Sequence, residues 1–201
     1  MFKRIFDIII SVLCSVFFSP IALIIIVLIK YDSKGPFLFS TKRVGKNKKL
    51  FRIYKFRSMK IQSQSHNLGV TSLRDSRVTK IGKILRKYRL DEIPQLFNVI
   101  KGDMSIVGPR PEDPKYVTFF EDKYDKLLSV RPGCVSPGWI NFRDEKVFKK
   151  QNSKNSNLVE EDYIKNILPK KIDKDLKYID EMSFSGDIVI IFQSIVSLFF
   201  K

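Results

Sequence analysis

The first thirty residues carry the longest apolar segment of the chain. Residues 5–29 are almost continuously apolar and are interrupted by Asp7, several serines and Pro20. At about 1.5 Å per residue, such a helix is long enough to cross the roughly 30 Å hydrocarbon core of a bilayer. The apolar run is too long for a cleavable signal peptide and no small-residue cleavage site follows it, so we expect the segment to remain in the membrane.

Two features bear on how this segment sits in the membrane. Ser19-Pro20 lies near its centre, where proline removes a backbone hydrogen bond and the serine hydroxyl can satisfy a freed carbonyl. Basic residues, which prefer the cytoplasmic side, flank both ends of the segment: Lys3, Arg4, Lys30 and Lys34. A single spanning helix and a re-entrant helix broken at Ser19-Pro20 both fit the length, and the paired basic flanks favour the re-entrant form.

After residue 30 the pattern becomes that of a folded domain. Residues 37–39 and 50–59 are rich in Phe, Ile and Tyr, which is typical of strands. Gly45-Lys46-Asn47 supplies turn residues between them. The sequence therefore predicts a short β-hairpin.

Two helices are predicted further along the chain. Residues 79–89 place apolar side chains at helical spacing and basic side chains on the other face, which suits a membrane surface or a phosphate-rich cleft. A solvated face over an ordinary core gives the same pattern. From Asp91 to Lys101 apolar residues recur at i, i+3, i+4 and i+7, with Asp91 as the cap and Gly102 as the stop. Asp91 and Glu92 would then lie at the positive end of this helix.

The remaining segments complete the predicted fold class, which is α+β. Residues 102–114 and 131–138 are rich in Gly and Pro and predict loops. Residues 188–200 are apolar nearly all round but too short to span a membrane, so they form either core or a helix in the membrane plane. We expect residues 1–30 to form the membrane helix and residues 31–201 to form a mostly helical domain with a hairpin and amphipathic interfacial helices.

The amino-acid composition indicates that the protein binds an anionic partner. Thirty-seven Lys and Arg oppose 21 Asp and Glu, which gives a formal net charge of +16. Such an excess indicates nucleic acid, acidic lipid headgroups or phosphorylated substrates. Cys14 and Cys134 form no disulfide framework, which suits a reducing compartment, and His66 has no second His or Cys nearby in the sequence.

The most informative carboxylates are those of Asp91 and Glu92. Phosphoryl transfer needs a nucleophile, a metal that neutralises phosphate charge, and cations that hold the phosphates in line. An Asp can be that nucleophile by forming an aspartyl phosphate, and an adjacent Glu can act as a base or help to hold Mg²⁺. An Asp-Glu pair in a first helical turn is more often only a favourable cap, so the pair alone does not identify an active site.

Basic residues in three other segments strengthen the case for a phosphate site. Lys55 and Arg57 alternate with aromatic residues on the predicted second strand, which places both cations on one face. Arg110 lies between two prolines that limit its backbone freedom and suit rigid phosphate contact. Arg143 follows a Pro/Gly-rich loop that contains Trp139. Each is ordinary alone, because surface cations are mostly solvated and a loop tryptophan more often packs.

These segments together resemble the bacterial sugar transferases, the small monotopic phosphoglycosyl transferases. The resemblance extends from about Lys3 to near the C-terminus. It is very specific, because long motifs occur in the family's order: Lys3-Arg4-Ile5-Phe6-Asp7, Ser19-Pro20, Arg43-Val44-Gly45, Tyr54-Lys55-Phe56-Arg57-Ser58-Met59, and Thr79 to Pro111 with Leu90-Asp91-Glu92-Ile93-Pro94-Gln95-Leu96-Phe97-Asn98 and Lys101-Gly102-Asp103-Met104-Ser105.

The resemblance implies a two-step mechanism. Asp91 would attack the β-phosphate of a UDP-sugar, release UMP and carry the phosphosugar, which polyprenyl (undecaprenyl) phosphate would then take up as a polyprenyl diphosphate sugar. Asp91 would also contact Mg²⁺, and Glu92 would assist proton transfer or metal positioning. The resemblance further implies phosphate contacts from four basic residues: Lys55, Arg86, Arg110 and Arg143.

The resemblance also implies a cellular setting. The helix broken at Ser19-Pro20 would be re-entrant, with the catalytic sugar transferase domain, residues 31–201, on the cytoplasmic face of the bacterial inner membrane. The expected partners are the UDP-sugar, polyprenyl phosphate, the bilayer and downstream glycosyltransferases of the same pathway, which would build an exopolysaccharide, a capsule or an O-antigen. A homo-oligomer is compatible with this setting, and no nucleic acid is expected.

One region departs from the commonest family pattern. Many relatives have Arg-Pro-Gly-Ile-Thr-Gly-Trp-Ala-Gln followed by Asn-Gly-Arg, whereas this chain has Cys134-Val135-Ser136-Pro137-Gly138 after its Arg-Pro-Gly and Asn141-Phe142-Arg143-Asp144-Glu145 downstream. The segment looks like a subgroup with Ser-Pro after that loop. The role of Arg143 and any sugar preference set by the loop are therefore left open.

Two rival functions fit parts of the sequence. A non-catalytic, membrane-tethered basic scaffold that binds acidic lipids or other polyanions fits the composition. A nucleic-acid reader would carry a helix-turn-helix, zinc or aromatic-platform motif, and the sequence contains none that we identify. A family member that has lost activity is the second rival, and the intact Asp91 and Glu92 argue against it.

Overall fold

The computed structural model describes residues 2–61, 77–141 and 160–199, and in these ranges the chain is mainly helical with two small sheets. The hairpin strands are β1 (Leu38–Val44) and β2 (Leu50–Phe56), and the second sheet pairs β3 (Ser105–Val107) with β4 (Gly133–Val135). The helices are α1 (Phe2–Asp32), α2 (Lys80–Tyr88), α3 (Gln95–Lys101), α4 (Pro114–Val117), α5 (Glu121–Leu127), α6 (Pro137–Asn141), α7 (Leu168–Asp180) and α8 (Phe184–Phe199), and a π-helical turn (Tyr163–Ile167) leads into α7.

The predicted hairpin is confirmed. Strands β1 and β2 are antiparallel and in register from Leu38 opposite Phe56 to Val44 opposite Leu50. The turn between them is a short 3₁₀ segment in which Asn47 and Lys48 have positive φ angles of 55° and 61°. Asparagine tolerates this left-handed conformation better than most residues do, which is the turn chemistry that the sequence indicated.

Helix α2 is also confirmed, and its ends are well defined. The Thr79 hydroxyl accepts a hydrogen bond from Gly82 N at 2.9 Å, which caps the first turn. A Cβ atom at Gly82 would lie 2.0 Å from Ser58 O. Only glycine therefore lets the start of α2 lie directly on the chain that leaves β2.

The second predicted helix starts later than expected. The prediction that Asp91 caps an α-helix is wrong, because α3 begins at Gln95 and Asp91 lies in a 3₁₀ turn, Leu90–Glu92. The chain enters α3 through i to i+3 bonds such as Ile93 N to Leu90 O, and Pro94, which has no N–H to donate, directly precedes the first residue of α3. The end is as predicted, since Gly102 terminates α3 with φ 103°.

The two Gly/Pro-rich segments are not simple loops. Each contains a short strand, and β3 and β4 pair in parallel, with Ser105 opposite Gly133 and Val107 opposite Val135. A Cβ atom at Gly133 would lie 2.1 Å from Gly108 N. The pairing therefore brings the two backbones closer than any other side chain would allow, and it fixes the loop after β3 against the loop after β4.

Helix α1 is long and apolar enough to cross a membrane, and it indicates a membrane protein. Its most apolar 18-residue window has a mean hydropathy of 3.0, and only 11% of that window is buried. The break predicted at Ser19-Pro20 is not confirmed, because the helix is continuous from Phe2 to Asp32. Within it the Ser19 hydroxyl donates to Val16 O at 2.8 Å, so it satisfies a backbone carbonyl near the proline as expected.

The N-terminal part of α1 is held by polar contacts to the folded domain. The buried Asp7 carboxylate accepts hydrogen bonds from the Ser105 hydroxyl at 2.7 Å and from Ile106 N at 3.2 Å. The Arg4 guanidinium donates to Val99 O at 2.8 Å. These contacts fasten the first two turns of α1 to α3 and β3.

The C-terminal end of α1 is held by Arg57. Its buried guanidinium donates to Ser33 O at 2.6 Å, to the Ser33 hydroxyl at 3.0 Å and to Lys34 O at 3.0 Å. The carbonyls at a helix C-terminus carry partial negative charge, so this cation is stabilised there. Ile25 and Ile29 pack in the same region against Phe56 and Leu85.

Helix α8 packs on the core along one side, which agrees with the core alternative for this segment, and a position in the membrane plane stays a prediction. Ile190 and Ile191 pack on the core under β3, while the other side of the helix is exposed. The Phe184 ring makes edge contacts with Phe2 and Phe6 of α1 at centroid distances of 5.1 and 4.9 Å. The exposed apolar side chains of α8 are Phe184, Ile188, Val189, Phe192 and Ile195.

Asn98 of α3 joins the helix to the hairpin from a fully buried position. Its side-chain oxygen accepts from Tyr54 N at 3.0 Å, and its amide nitrogen donates to Arg52 O at 2.8 Å and to Asp103 at 3.3 Å. The side chain of Asn98 therefore satisfies a backbone N–H and a backbone C=O on the edge of β2 that does not pair with β1. Asn98 in this way sets the distance between β2 and the segment before α3.

We expect Asn98→Ala to destabilise the protein by about 2 kcal/mol, because it leaves a buried N–H and a buried C=O without partners. Thermal or denaturant unfolding in detergent measures this. Asn166→Ala is the control, because Asn166 is exposed and bonds only locally to Asp162. Equal stability of the two variants would contradict the assigned role of Asn98.

Candidate active site

Asp91 and Glu92 lie on the 3₁₀ turn between α2 and α3, and both are largely buried. The exposed fraction of Asp91 is 8%, and that of the Glu92 side chain is 13%. Arg89, the residue before this turn, has left-handed backbone angles of φ 56° and ψ 22°. Such angles are uncommon for residues other than glycine and cluster at functional sites. The bend at Arg89 turns the chain sharply out of α2.

Three basic side chains from three different elements converge on Glu92. Lys55 Nζ of β2 lies 2.8 Å from Oε1, and Arg89 Nη2 lies 2.6 Å from Oε2. Arg110 Nη2, in the loop after β3, lies 3.5 Å from Oε1. This convergence fixes the relative positions of β2, the 3₁₀ turn and the β3 loop.

The indole ring of Trp139 packs against two of these cations, Arg89 and Arg110. The Arg89 guanidinium carbon lies 3.2 Å from the centroid of the Trp139 ring, and that of Arg110 lies 5.3 Å from it. Cations over an indole face are stabilised by the ring quadrupole. The tryptophan is buried, so its ring gives both guanidinium groups a fixed surface to pack against.

Arg86 approaches the site from α2. Its Nε donates to the Ser58 hydroxyl at 3.1 Å, and its Nη2 contacts the Met59 sulfur at 3.4 Å. Its charge lies close enough to lower the pKa of Asp91, although other effects outweigh it. The chain after β2 therefore sets the direction in which Arg86 points.

The two carboxylates differ in ionisation. Burial, and then the anionic Glu92 beside it, raise the pKa of Asp91 despite the nearby Lys55, Arg89 and Arg86. Burial would also raise the pKa of Glu92, but Arg89, Lys55 and Arg110 outweigh it and hold that pKa well below its ordinary value. The site therefore keeps Glu92 as an anion whose charge is compensated, and leaves Asp91 as the carboxylate that gains from an added cation.

Four of the predicted residues meet at this site: Asp91, Glu92, Lys55 and Arg110. Arg86 lies at its edge, and Arg143 lies outside the described residues. Arg57, which the sequence placed with Lys55, instead binds the end of α1, because β2 ends at Phe56 and the alternation of strand side chains does not extend to Arg57. The catalytic and binding roles of these residues remain predictions.

Sequence analysis missed the parts played by Arg89 and Trp139. The helical pattern places Arg89 among the residues of the basic face of α2, and it does not reveal the left-handed backbone at the end of this helix that separates Arg89 from them. One signal was available, namely the (i, i+3) spacing of Arg89 and Glu92, which allows an ion pair within one turn. Trp139 was interpreted as packing, and no sequence pattern indicates which cations lie over it.

The side chains of this site could supply some, but not all, of the oxygen ligands that a magnesium ion needs. Within residues 2–61, 77–141 and 160–199, no group of three His, Cys, Asp or Glu side chains could hold a metal ion. Mg²⁺ is usually bound by one or two carboxylates together with substrate phosphates and water. Asp91 beside Glu92 fits that description, so a magnesium ion bound here would depend on substrate oxygens.

Comparison with known proteins gives a consistent set of relatives. The model of the family described as bacterial sugar transferase matches residues 1–201. UDP-N-acetylgalactosamine-undecaprenyl-phosphate N-acetylgalactosaminephosphotransferase of Aeromonas hydrophila is 39% identical over 96% of this chain and 42% of its own length. UDP-glucose:undecaprenyl-phosphate glucose-1-phosphate transferase of Klebsiella pneumoniae is 36% identical over 96% of this chain and 39% of its own length.

A third relative is closer in size. The exopolysaccharide production protein ExoY of Sinorhizobium fredii is 29% identical over 96% of this chain and 83% of its own length. The chain thus spans about two fifths of the two longer relatives and most of this shorter one.

Arg89→Gln should raise the pKa of Glu92 toward its ordinary value of 4.5, because it removes the nearest of the three cations. In the parent protein the low pKa stabilises the fold above about pH 4.5, and this contribution is lost as the pH falls toward the pKa of the folded state. Titration of the ¹³C-labelled Glu92 carboxyl group in detergent measures the shift.

Lys115→Gln is the control for this titration, because Lys115 pairs with Glu160 at 2.6 Å on the surface. It should leave the pKa of Glu92 unchanged. An unchanged value in Arg89→Gln as well would contradict the ion pair.

Proposed function

Because the chain belongs to the bacterial sugar transferase family, we propose that it transfers a sugar 1-phosphate from a UDP-sugar to polyprenyl phosphate, with undecaprenyl phosphate as the acceptor. The two longer relatives are named for transfer to undecaprenyl phosphate, and ExoY is named for exopolysaccharide production. The reaction would start assembly of a surface glycan, which downstream glycosyltransferases would extend.

The observation that carries the proposal is the buried carboxylate pair with its compensating cations. Glu92 is balanced by Lys55, Arg89 and Arg110, while the pKa of the adjacent Asp91 is raised by burial. A diphosphate brings negative charge that must be matched by cations already in place. The site offers those cations directly beside an oxygen nucleophile, as phosphoryl transfer through an aspartyl intermediate requires.

The proposed first step breaks the phosphoanhydride bond of the donor. An Asp91 carboxylate oxygen bonds to the β-phosphorus, the bond from that phosphorus to the bridging oxygen breaks, and UMP leaves with the bonding electrons. In the second step an oxygen of polyprenyl phosphate bonds to the same phosphorus and displaces Asp91 as a carboxylate. Each step exchanges one P–O bond for another, so Asp91 returns to its starting state.

The environment of Glu92 favours a positioning role over proton transfer. Three cations stabilise its anion, so a proton would bind to it only weakly at neutral pH. An incoming diphosphate could share Lys55 and Arg110 with Glu92, since both lie on the Oε1 side. Glu92 would then hold these cations in place for phosphate oxygens. Phosphate contact by Arg86 and Arg143 remains part of the proposal.

Asp91, with Glu92 beside it, is the residue that would hold Mg²⁺. Bound there, the ion would neutralise phosphate charge during transfer. The raised pKa of Asp91 is consistent with a carboxylate that is stabilised as an anion once a cation is supplied.

The contacts of α1 support placing both of its ends on one side of the bilayer, as in a re-entrant segment that enters and leaves by the same face. The helix is continuous over 31 residues, so a re-entrant path would require it to bend at Pro20 without a break. Asp7 near one end and Ile29 near the other are both buried against the same domain. If that domain lies on one side of the bilayer, both ends of α1 lie on that side too. Basic flanking residues favour the cytoplasmic side of a bacterial inner membrane.

Asp91→Asn should abolish turnover, because the amide cannot act as the nucleophile, while the fold is retained. Mass spectrometry after mixing with the donor alone should find a phosphosugar on the parent enzyme at Asp91 and none on the variant. Asp113→Asn is the matched control, since Asp113 caps α4 and pairs with Arg43 away from this site. Substantial activity of purified Asp91→Asn would exclude Asp91 as the nucleophile.

UMP release identifies the donor and separates the enzyme from a basic scaffold. The assay contains polyprenyl phosphate, Mg²⁺ and one of UDP-N-acetylgalactosamine, UDP-glucose or UDP-galactose. We expect release from at least one donor, and removal of Mg²⁺ by a chelator should stop it. A protein that binds anionic vesicles but releases no UMP from any UDP-sugar would favour the scaffold.

Cysteine labelling tests the placement of α1. Phe2→Cys and Tyr31→Cys introduce thiols at its exposed ends, in a background where Cys14 and Cys134 are replaced by serine. A membrane-impermeant maleimide should label both positions from the side that also labels Lys46→Cys in the hairpin turn. Labelling of the two ends from opposite sides would establish a spanning helix.

A further inference from the structure

A buried carboxylate lies behind the active site and is not part of it. Asp175 of α7 is 4% exposed, and its two oxygens accept hydrogen bonds from two loops. Oδ1 accepts from Gly138 N and from the Ser136 hydroxyl, both at 2.8 Å. Oδ2 accepts from Arg110 N at 3.0 Å, and it also lies 3.0 Å from the Ser136 hydroxyl.

The two segments that Asp175 holds carry Arg110, which contacts Glu92, and Trp139, which packs against Arg89 and Arg110. Arg110, whose backbone binds Asp175, reaches Glu92 with its guanidinium group. Trp139 directly follows Gly138, and its ring lies under Arg89. One carboxylate therefore binds the backbone of both segments: that of Arg110 itself and that of Gly138, which directly precedes Trp139.

The approach of the loop to α7 is unusually close. A Cβ atom at Gly138 would lie 2.5 Å from Lys171 O and 2.9 Å from the Asp175 carboxylate. Glycine at this position lets the backbone N–H reach the carboxylate. A shift of Asp175 would accordingly move the start of α6 and, with it, Trp139.

Keeping this carboxylate buried costs folding free energy. Burial raises the pKa of Asp175 to about 6, even though the hydrogen bonds from Gly138, Arg110 and Ser136 favour its anion. An apolar side chain on α7 would avoid that cost. All three hydrogen-bond donors, however, belong to the loops that carry Arg110 and Trp139. The carboxylate therefore supplies the acceptor that the buried N–H and O–H groups of these loops require.

We propose that Asp175 is a positioning residue for the reaction: it fixes the Arg110 backbone and the turn before Trp139, and so places two guanidinium groups on Glu92. The consequence for catalysis rests on the proposed function, whereas the structural part does not. Displacements of about 1 Å near reacting groups can cost up to about a hundredfold in rate.

A fluorescence experiment tests the structural part without any substrate. Trp139 is the single tryptophan of the chain, so intrinsic emission reports its environment alone. Asp175→Asn puts an NH₂ group against a backbone N–H donor, so we expect red-shifted emission and stronger acrylamide quenching. Asp187→Asn is the matched control: Asp187 is 2% exposed, accepts from the Tyr178 hydroxyl at 2.7 Å and from Lys3, and forms no side-chain hydrogen bond with either loop within the described residues. It should leave the emission unchanged.

A double-mutant cycle tests the catalytic part. Asp175→Asn and Arg110→Gln should each lower kcat about ten- to a hundredfold, and the double variant should fall little below the worse single one. If Asp175 acts only on stability, the two effects multiply, as they should for Asp187→Asn with Arg110→Gln. Multiplying effects in both cycles would overturn the catalytic part.

A second variant covers a failure of Asp175→Asn to fold. Ser136→Ala removes one donor to Asp175 and also the acceptor of the Trp139 backbone N–H, at 3.1 Å, whereas Ser136→Thr keeps both. Ala should therefore shift the emission whether or not Asp175 acts, and its coupling to Arg110→Gln, which Thr should lack, is the part that reports on Asp175. Unchanged emission in folded Asp175→Asn, or multiplying effects of Ser136→Ala and Arg110→Gln, would overturn the positioning role. If the parent protein releases no UMP from any donor, the proposed function fails, and the emission still decides whether Asp175 positions the turn.

Discussion

The compensation of one buried carboxylate by cations from separate parts of the chain is the constraint on which the rest of the site depends. A buried charge is tolerated only when it is paired, and Glu92 is paired with Lys55, Arg89 and Arg110. If any of these cations moved away, part of the negative charge of Glu92 would be buried without a compensating positive charge. The surrounding backbone therefore has to hold a strand, a left-handed residue and a loop at fixed mutual distances.

The fold meets this requirement through close contacts between backbone segments. Asn98 fixes β2 against α3, Gly82 lets α2 lie on the end of the hairpin, and Gly133 lets β4 approach the loop after β3. Each contact joins segments that are distant in sequence. Three clusters of buried apolar side chains surround these contacts in the part of the chain that the structure describes, and the 3₁₀ turn with Asp91 and Glu92 lies where the segments meet.

Much of the local structure could be predicted from the sequence, because the hairpin and α2 follow from periodicity, turn residues and capping. The parallel pairing of β3 and β4 could not, since each strand is three residues long and lies among glycines and prolines that indicate loops. Asp91 and Glu92 were identified as candidates, but the partners of Glu92 depend on tertiary contacts. Arg57 was misplaced for the same reason, because strand alternation ends at Phe56.

The polar docking of α1 gives this helix a part in folding as well as in anchoring. Asp7 satisfies a hydroxyl and an amide of β3, and Arg57 needs the carbonyls at the end of α1. Removing the helix to obtain a water-soluble fragment would leave the Ser105 hydroxyl, the Ile106 N–H and the Arg57 guanidinium without these hydrogen-bond partners. A foreign anchor of equal hydrophobicity would leave them equally unsatisfied. Attempts to replace α1 should therefore retain its polar residues, because these residues make the helix an integral part of the folded protein.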